Sequence, residues 1–367
     1  MAKKIMLISP KDNNFYNFRR ELILTLKDLY SDVVLVCPYG QKIDYFTDRG
    51  CRFIDTSIDR RGKSIVKDLH LLKQYYTILK NERPDLVLTF TTKPSVYAGY
   101  ACGKLRTPFI VNNAGIMEAS GLFSWFMNLL YKLGFHKASY IMCQNEYEKE
   151  YLSKLLNSNM KYIRIPGSGV NTSYFCYKDY PQDSSSIVFN YVALIKRIKG
   201  ISEFLECAKR IKKKYPNTHF RIFGEYDSTD YTEEIRKLCD QGIIEYKGVV
   251  LDMRPEIEAC HAVIHPSYYE GMTNVVLEHS SMGRPAIGSD IPGVREGIED
   301  KKTGFLFEAK NVDSLEDAVE AFISLSNDDR RKMGKAARIK MEKEFDRGIV
   351  TSTYLETIKQ VLEQKEK

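Results

Sequence analysis

PSYYEGMTNVVLEHSSMGRP, residues 266–285, sets two glutamates, Glu270 and Glu278, around Gly271, Met272, Thr273 and Asn274. Just upstream, Ala262-Val263-Ile264 is a short apolar run that reads as a buried strand. A strand-to-helix connection needs one capping residue and a glycine. Here the chain leaves the strand through an acid and a glycine, starts a helix, and places a second acid one to two turns in. The two carboxylates are more than a connection requires.

Outward from this stretch, strand and helix signals alternate in both directions. Apolar runs fall at 5–9, 33–37, 86–90, 109–112, 140–143 and 162–165, separated by stretches with helical periodicity such as 64–82 and 123–137. This is the rhythm of a parallel sheet covered by helices on both faces. PGSGVNTSYF at 166–175 and YPQDSSS at 180–186 interrupt it, and it restarts with IVFNYVAL, THFRIFG, IIEYKG, HAVIHPS and PAIGS. A chain of 367 residues is also longer than one core usually holds. The expectation is an α/β protein of two Rossmann-like domains, residues 1–168 and 169–347, with parallel sheets facing an inter-domain cleft.

Composition narrows the function classes. With 43% apolar and 28% charged residues the chain reads as a soluble globular protein. Its apolar runs are broken well before the roughly 20 residues a membrane span needs. The apolar start of MAKKIMLISP is too short for a signal-peptide core, so a cytoplasmic location is expected. Eight cysteines without a CxxC pair read as small buried hydrophobes. The net charge of +7 suggests anionic partners, either nucleotide phosphates or an anionic membrane surface. Nucleic acid is not expected, because the densest basic cluster, KRIKKKY at 209–215, reads as the solvated face of a helix.

Ligands of parallel sheets sit at the carboxyl ends of the strands, beside helix N-termini. That places Glu270 and the helix beginning near Asn274 at the site. Free N–H groups and a partial positive charge at that N-terminus suit a phosphate. Glu270 can face a sugar hydroxyl or a developing cation, and Glu278 can accept from vicinal hydroxyls such as those of a ribose. A helix cap and a solvated helix face are the bland alternatives for the two acids, and the strand–turn–helix setting favours the site. DRRGKS at 59–64 is not a phosphate-binding P-loop, which needs a glycine where Ser57 stands. His265 reads as a packed neighbour rather than a base, and the other histidines show no ligand spacing.

With Pro292-Gly293-Val294-Arg295-Glu296 downstream, the E-x7-E stretch resembles the retaining glycosyltransferases of family 4, of GT-B fold. DRRGKS (59–64), TTKPSVYAGYACGKLRTPFIVNNAGI (91–116), PGSGVN (166–171) and KGISEFLECAKRIKKKYPN (199–217) resemble the bacterial branch that builds capsular and O-antigen polysaccharides. The resemblance implies that Glu270 sits beside the donor sugar, and that the amides of Gly271, Met272, Thr273 and Asn274 line the sugar and diphosphate. It implies further that Glu278 binds the ribose and that Lys199 neutralises the leaving diphosphate. The turn Lys11–Phe15 would approach from the N-terminal domain, with Asn14, Phe15 and Asn113 on the cleft. The loop Lys247–Val250, including Val249, would contact the base. The C-terminal helix, 348–367, would pack back on the first domain.

The donor implied is a nucleotide sugar, uridine-linked by resemblance. A lysine and helix amides can stabilise the leaving charge, so no metal ion or other cofactor is expected. The nearest approach to a DxD metal pair, Asp227-Ser228-Thr229-Asp230, has the wrong spacing. A front-face route assisted by the leaving phosphate is the expected chemistry. Relatives carry an arginine five residues before the lysine, where this chain has Leu194. Lys196 or Arg197 would compensate, and Arg197 is favoured because its planar fork spans two phosphate oxygens.

Residues 122–137 carry Leu122, Phe126, Leu129, Leu130 and Leu133 on one helical face, with Trp125 beside them. Core packing is the default reading. The alternative is peripheral contact with the inner face of the cell membrane, suiting a glycan acceptor on undecaprenyl diphosphate. Two other classes remain open: a nucleotide-sugar epimerase or hydrolase of the same fold, and a non-catalytic nucleotide-binding subunit.

Overall fold

The computed structural model describes residues 3–58, 64–113, 115–116, 121–156, 160–182 and 185–366. Of the DRRGKS segment only Ser64 falls within them. The chain divides into two compact units, Met1–Ser168 with Gly348–Lys367, and Gly169–Arg347.

The first unit is built on strands β1 (Lys4–Ile8), β2 (Asp32–Cys37), β3 (Arg52–Asp55), β4 (Leu86–Phe90), β5 (Phe109–Asn112), β6 (Tyr140–Cys143) and β7 (Tyr162–Arg164). They form one sheet in the order β3-β2-β1-β4-β5-β6-β7. The second unit contains β8 (Ile187–Val192), β9 (Thr218–Phe223), β10 (Glu245–Gly248), β11 (Ala262–His265), β12 (Ala286–Ser289) and β13 (Gly304–Phe307). Its order is β10-β9-β8-β11-β12-β13. Pairing within both sheets is parallel. The central strands are apolar on both faces because helices cover both, so their sequences read as unbroken Val/Ile/Leu runs.

Each strand order reverses once, between β1 and β4 in the first sheet and between β8 and β11 in the second. Such switch points open a crevice at the carboxyl ends of the strands. In the second unit the loops leading out of β8 and β11 carry Lys199 and Glu270. The fold thus brings side chains 71 positions apart into contact.

Helix Arg347–Glu366 contributes Val350, Tyr354, Ile358, Val361 and Leu362 to a core cluster of the first unit. Burying an aliphatic side chain is worth about 1.5–3 kcal/mol, so this row is the main hold on the helix. Polar contacts fix its register. The Asn112 amide donates to the Tyr354 hydroxyl at 2.5 Å, and the Tyr140 hydroxyl to Gln360 at 2.8 Å.

Helix Gly121–Phe135 corrects one expectation. Phe126, Leu129 and Leu133, read as core, are 45%, 38% and 42% exposed, and Trp125 is 66% exposed. The buried face carries Tyr131 and Phe135 instead. Gly134 explains the rotation, since a Cβ there would sit 2.6 Å from the Val96 backbone. The helix presses its glycine against helix Thr92–Leu105, which leaves Leu129 and Leu133 outside while Leu130 packs half-buried against the core.

The helices Ile65–Glu82 and Thr92–Leu105 end on Arg83 (φ 47°) and Arg106 (φ 55°), both left-handed. An L side chain there costs about 1–2 kcal/mol, which is why glycine is the usual occupant. The basic run at 209–214 is largely neutralised. Lys209 pairs with Glu206 and Glu234, Arg210 with Asp313 and Glu316, and Lys214 with Glu316 and Glu320.

Candidate active site

Gly200 fixes the geometry of the β8 loop. Its φ is 69°, and a Cβ would lie 2.0 Å from the carbonyl oxygen of Pro266. Only glycine lets this loop close on the chain leaving β11. The Ile198 carbonyl then accepts from the Tyr268 amide at 3.0 Å, and the Lys199 carbonyl from the Tyr191 hydroxyl at 3.1 Å. Held this way, Lys199 places its Nζ 2.5 Å from Oε1 of Glu270.

The same oxygen lies 3.1 Å from Nε2 of His265, at the end of β11. Burial pushes the Glu270 carboxyl up, but His265 and Lys199 outweigh it and hold it well below the usual carboxylate range. Glu270 is therefore an anion with one oxygen engaged twice. Its Oε2 accepts no hydrogen bond among the described residues. His265 does more than pack, because its buried ring orients this carboxylate. Only its spacing of five residues from Glu270 could have hinted at that.

Helix Asn274–Ser281 starts on Thr273, whose hydroxyl accepts from the Val276 amide. The Thr273 amide donates to the Gly293 carbonyl at 2.9 Å. This corrects the expected row of four ligand-facing amides, because the Pro292–Glu296 turn has consumed one of them. Met272 belongs to an apolar cluster with Leu277 and Phe345, so it can offer backbone only. Asn274 caps no neighbour and stands half-buried in the first turn.

Glu278 is half-buried one turn further on, its carboxyl without a hydrogen bond or ion pair among the described residues. Burial raises its carboxyl to about 7, against a downward pull from Arg347. Lys196 lies 3.8 Å from Asp227, whereas Arg197 is exposed beside the Tyr268 hydroxyl. Leu194 is half-buried in the same loop. Val249 follows Gly248 (φ 69°) and is 63% exposed.

Two of the residues expected in the first unit are corrected. Phe15 is fully buried, its ring edge-on to Phe90 at 6.3 Å, and so belongs to the core. Asn113 is also buried, donating to Glu148 at 2.6 Å and to the Gly115 carbonyl at 3.0 Å. It shapes the loop after β5 rather than facing a ligand. Asn14 is half-buried, in the helix after β1.

Comparison with known proteins places this geometry. Residues 4–145 match a family model described as glycosyl transferase 4-like, and residues 186–324 match glycosyl transferases group 1. The N,N'-diacetylbacillosaminyl-diphospho-undecaprenol alpha-1,3-N-acetylgalactosaminyltransferase of Campylobacter jejuni is 24% identical, over 98% of this chain and 99% of that one. The UDP-Gal:alpha-D-GlcNAc-diphosphoundecaprenol alpha-1,3-galactosyltransferase of Escherichia coli is also 24% identical, over 81% of this chain and 80% of its own. Among solved structures, a Rickettsia africae glycosyltransferase superposes with a TM-score of 0.80 at 19% identity, covering 98% of this chain and 99% of that one. The Anabaena HepE protein in complex with UDP and glucose gives 0.79 at 16% identity, covering 98% and 100%. With one glycosyltransferase model on each unit and the same fold end to end, the chain belongs to the family 4 glycosyltransferases of GT-B fold.

Proposed function

We propose that this enzyme is a retaining, metal-independent glycosyltransferase of surface-polysaccharide synthesis. It moves a hexosyl or N-acetylhexosaminyl group from a UDP-linked donor to a glycan carried on undecaprenyl diphosphate. The observation that carries this reading is the convergence of Lys199 and His265 on a single oxygen of Glu270. The second oxygen is left for a sugar hydroxyl, beside a helix N-terminus and the unpartnered Glu278. Lys199 and the first-turn amides offset the charge of the departing diphosphate, which is what a metal ion does in other glycosyltransferases. Uridine and the lipid-linked acceptor are supported by the Campylobacter and Escherichia relatives, whose names carry diphospho-undecaprenol acceptors and, in one case, UDP-galactose.

The second unit binds the donor in this reading, and the first serves the acceptor. The exposed Trp125, Phe126, Leu129 and Leu133 support a cytoplasmic enzyme that touches the inner membrane face where its acceptor resides. Transfer is tested with a panel of UDP-sugars and undecaprenyl-diphosphate-linked acceptors, with and without chelator. Acceptor-dependent product, insensitive to chelator and of the donor's anomeric configuration, is expected. Rapid donor consumption without acceptor points instead to a hydrolase or epimerase, and donor binding without transfer to any lipid extract points to a silent subunit.

A further inference from the structure

At the amino ends of β4 and β5, the edge of the first sheet opposite the Asn113 loop, lies an open surface pocket of about 350 Å³. Its walls are the last turns of helices Ile65–Glu82 and Thr92–Leu105 and the last turn of helix Arg347–Glu366. Lys80, Arg83, Arg106 and Lys365 line it, together with Thr107. Lys365 is neutralised by Asp85 at 3.1 Å. The other three have no carboxylate partner among the described residues.

The bland reading is that cations here offset the negative ends of two helices. Lys80 and Lys104 already stand in those last turns. Arg83 and Arg106 stand one residue beyond, in left-handed positions where glycine makes the turn without strain. The turns do not call for arginine, and the strain is at least as large as what a helix dipole returns. Arg83 and Arg106 each carry a planar fork that matches two oxygens of a phosphate, and both residues, exposed to solvent, line one pocket.

We infer that this cavity binds a phosphate-bearing anion, at a site separate from the donor site of the second unit. The ligand is either a soluble phosphate ester or the headgroup of an anionic phospholipid, and both offer the oxygens that the arginines fit. Hydrogen–deuterium exchange on the full chain reads this site locally, with inorganic pyrophosphate in one arm and phosphatidylglycerol vesicles in the other. Slower exchange at 79–84 and 105–108 is expected in at least one arm. Protection by pyrophosphate alone identifies a soluble ester, and protection by vesicles but not by phosphatidylcholine identifies a headgroup. The double variant Arg83→Gly/Arg106→Gly removes the charge while relieving the backbone. It should keep the fold and raise the half-saturating ligand concentration at least about tenfold. Unchanged exchange in both arms, or equal protection in the double variant, overturns the inference.

Discussion

Each unit holds a carboxylate whose acidity burial has shifted to about 7, Glu148 in the first and Glu278 in the second. Their surroundings differ. Glu148 accepts from the Gln144 amide at 2.7 Å, from Asn113 at 2.6 Å and from the Gly115 amide at 3.3 Å. Three donors tie the ends of β5 and β6 together through it. The Glu278 carboxyl has no hydrogen-bond or ion-pair partner among the described residues, yet it stands on the helix that follows the Glu270 loop. A perturbed acidity by itself marks neither as functional. The satisfied group organises a loop, and the unsatisfied one has its hydrogen-bonding capacity left for a ligand.

The sharpest way to break this contrast is at the charged cluster itself. Lys199→Ala removes the cation proposed to face the leaving group and also frees Glu270, so turnover should fall by about 100-fold or more. Glu270→Gln should lower turnover on a similar scale with donor affinity little changed, because its proposed partner is the reacting sugar. His265→Ala should reduce kcat about tenfold and leave the donor Kd alone, with His265→Gln recovering part of the loss. Steady-state kinetics with the preferred donor check all three. Full activity in Glu270→Gln would remove the cluster from the chemistry.

Glu278→Gln comes next. Losing the proposed charge-assisted bond to ribose, worth about 1.5–3 kcal/mol, should weaken donor binding about 10- to 100-fold. Glu148→Gln should do the reverse. Its new NH2 group faces backbone donors, so stability drops by about 1–3 kcal/mol while donor affinity holds. Calorimetric titration and thermal melts on the pair separate the two roles. Equal losses of affinity in both variants would erase the distinction between the two carboxylates.

Between those effects lies Arg197. Lys196 is partly engaged by Asp227, so Arg197 is the freer cation of the loop. Arg197→Ala should cost about tenfold in turnover and Lys196→Ala less, with Leu194→Arg partly restoring the first. An Arg197→Ala enzyme of full activity would leave Lys199 as the only phosphate cation from this loop.

What the sequence made legible follows from locality. Val/Ile/Leu strands, the Lys199-Gly200 pair and the Glu270-Gly271 exit are signals a few residues long, and each recurs in the fold where its pattern put it. Side-chain direction was not legible. Phe15 sits two residues from the exposed Asn13 but turns into the core, because a helix begins there and points it at Phe90. Helix Gly121–Phe135 is apolar nearly all round, so periodicity could not say which face finds a partner, and close approach at Gly134 decided it. Partnerships between distant residues were hidden for the same reason. Nothing near Thr273 announces that Gly293 takes its amide, or near Glu148 that it serves Asn113.

The smallest expected effect is a pH dependence, and it carries opposite signs for binding and stability. In the proposed function the ionised form of Glu278 is the one that accepts from ribose hydroxyls. With its carboxyl near 7 in the free protein, about nine-tenths of molecules are protonated at pH 6 and about one-tenth at pH 8. Donor affinity should therefore strengthen by up to about tenfold from pH 6 to pH 8, and this slope should vanish in Glu278→Gln. For stability the folded value lies above the ordinary 4.5, so protonation favours the folded state. That contribution is complete below about pH 4.5 and is lost as pH rises through 7. Wild type and Glu278→Gln should then melt alike near pH 5, and the variant should be the more stable above pH 7, by on the order of 1–2 kcal/mol. Glu148 titrates over the same range in both proteins, so their difference isolates Glu278. A donor affinity flat with pH, together with melting curves that stay parallel from pH 5 to pH 8, would place Glu278 among the satisfied carboxylates and leave the second unit no different in kind from the first.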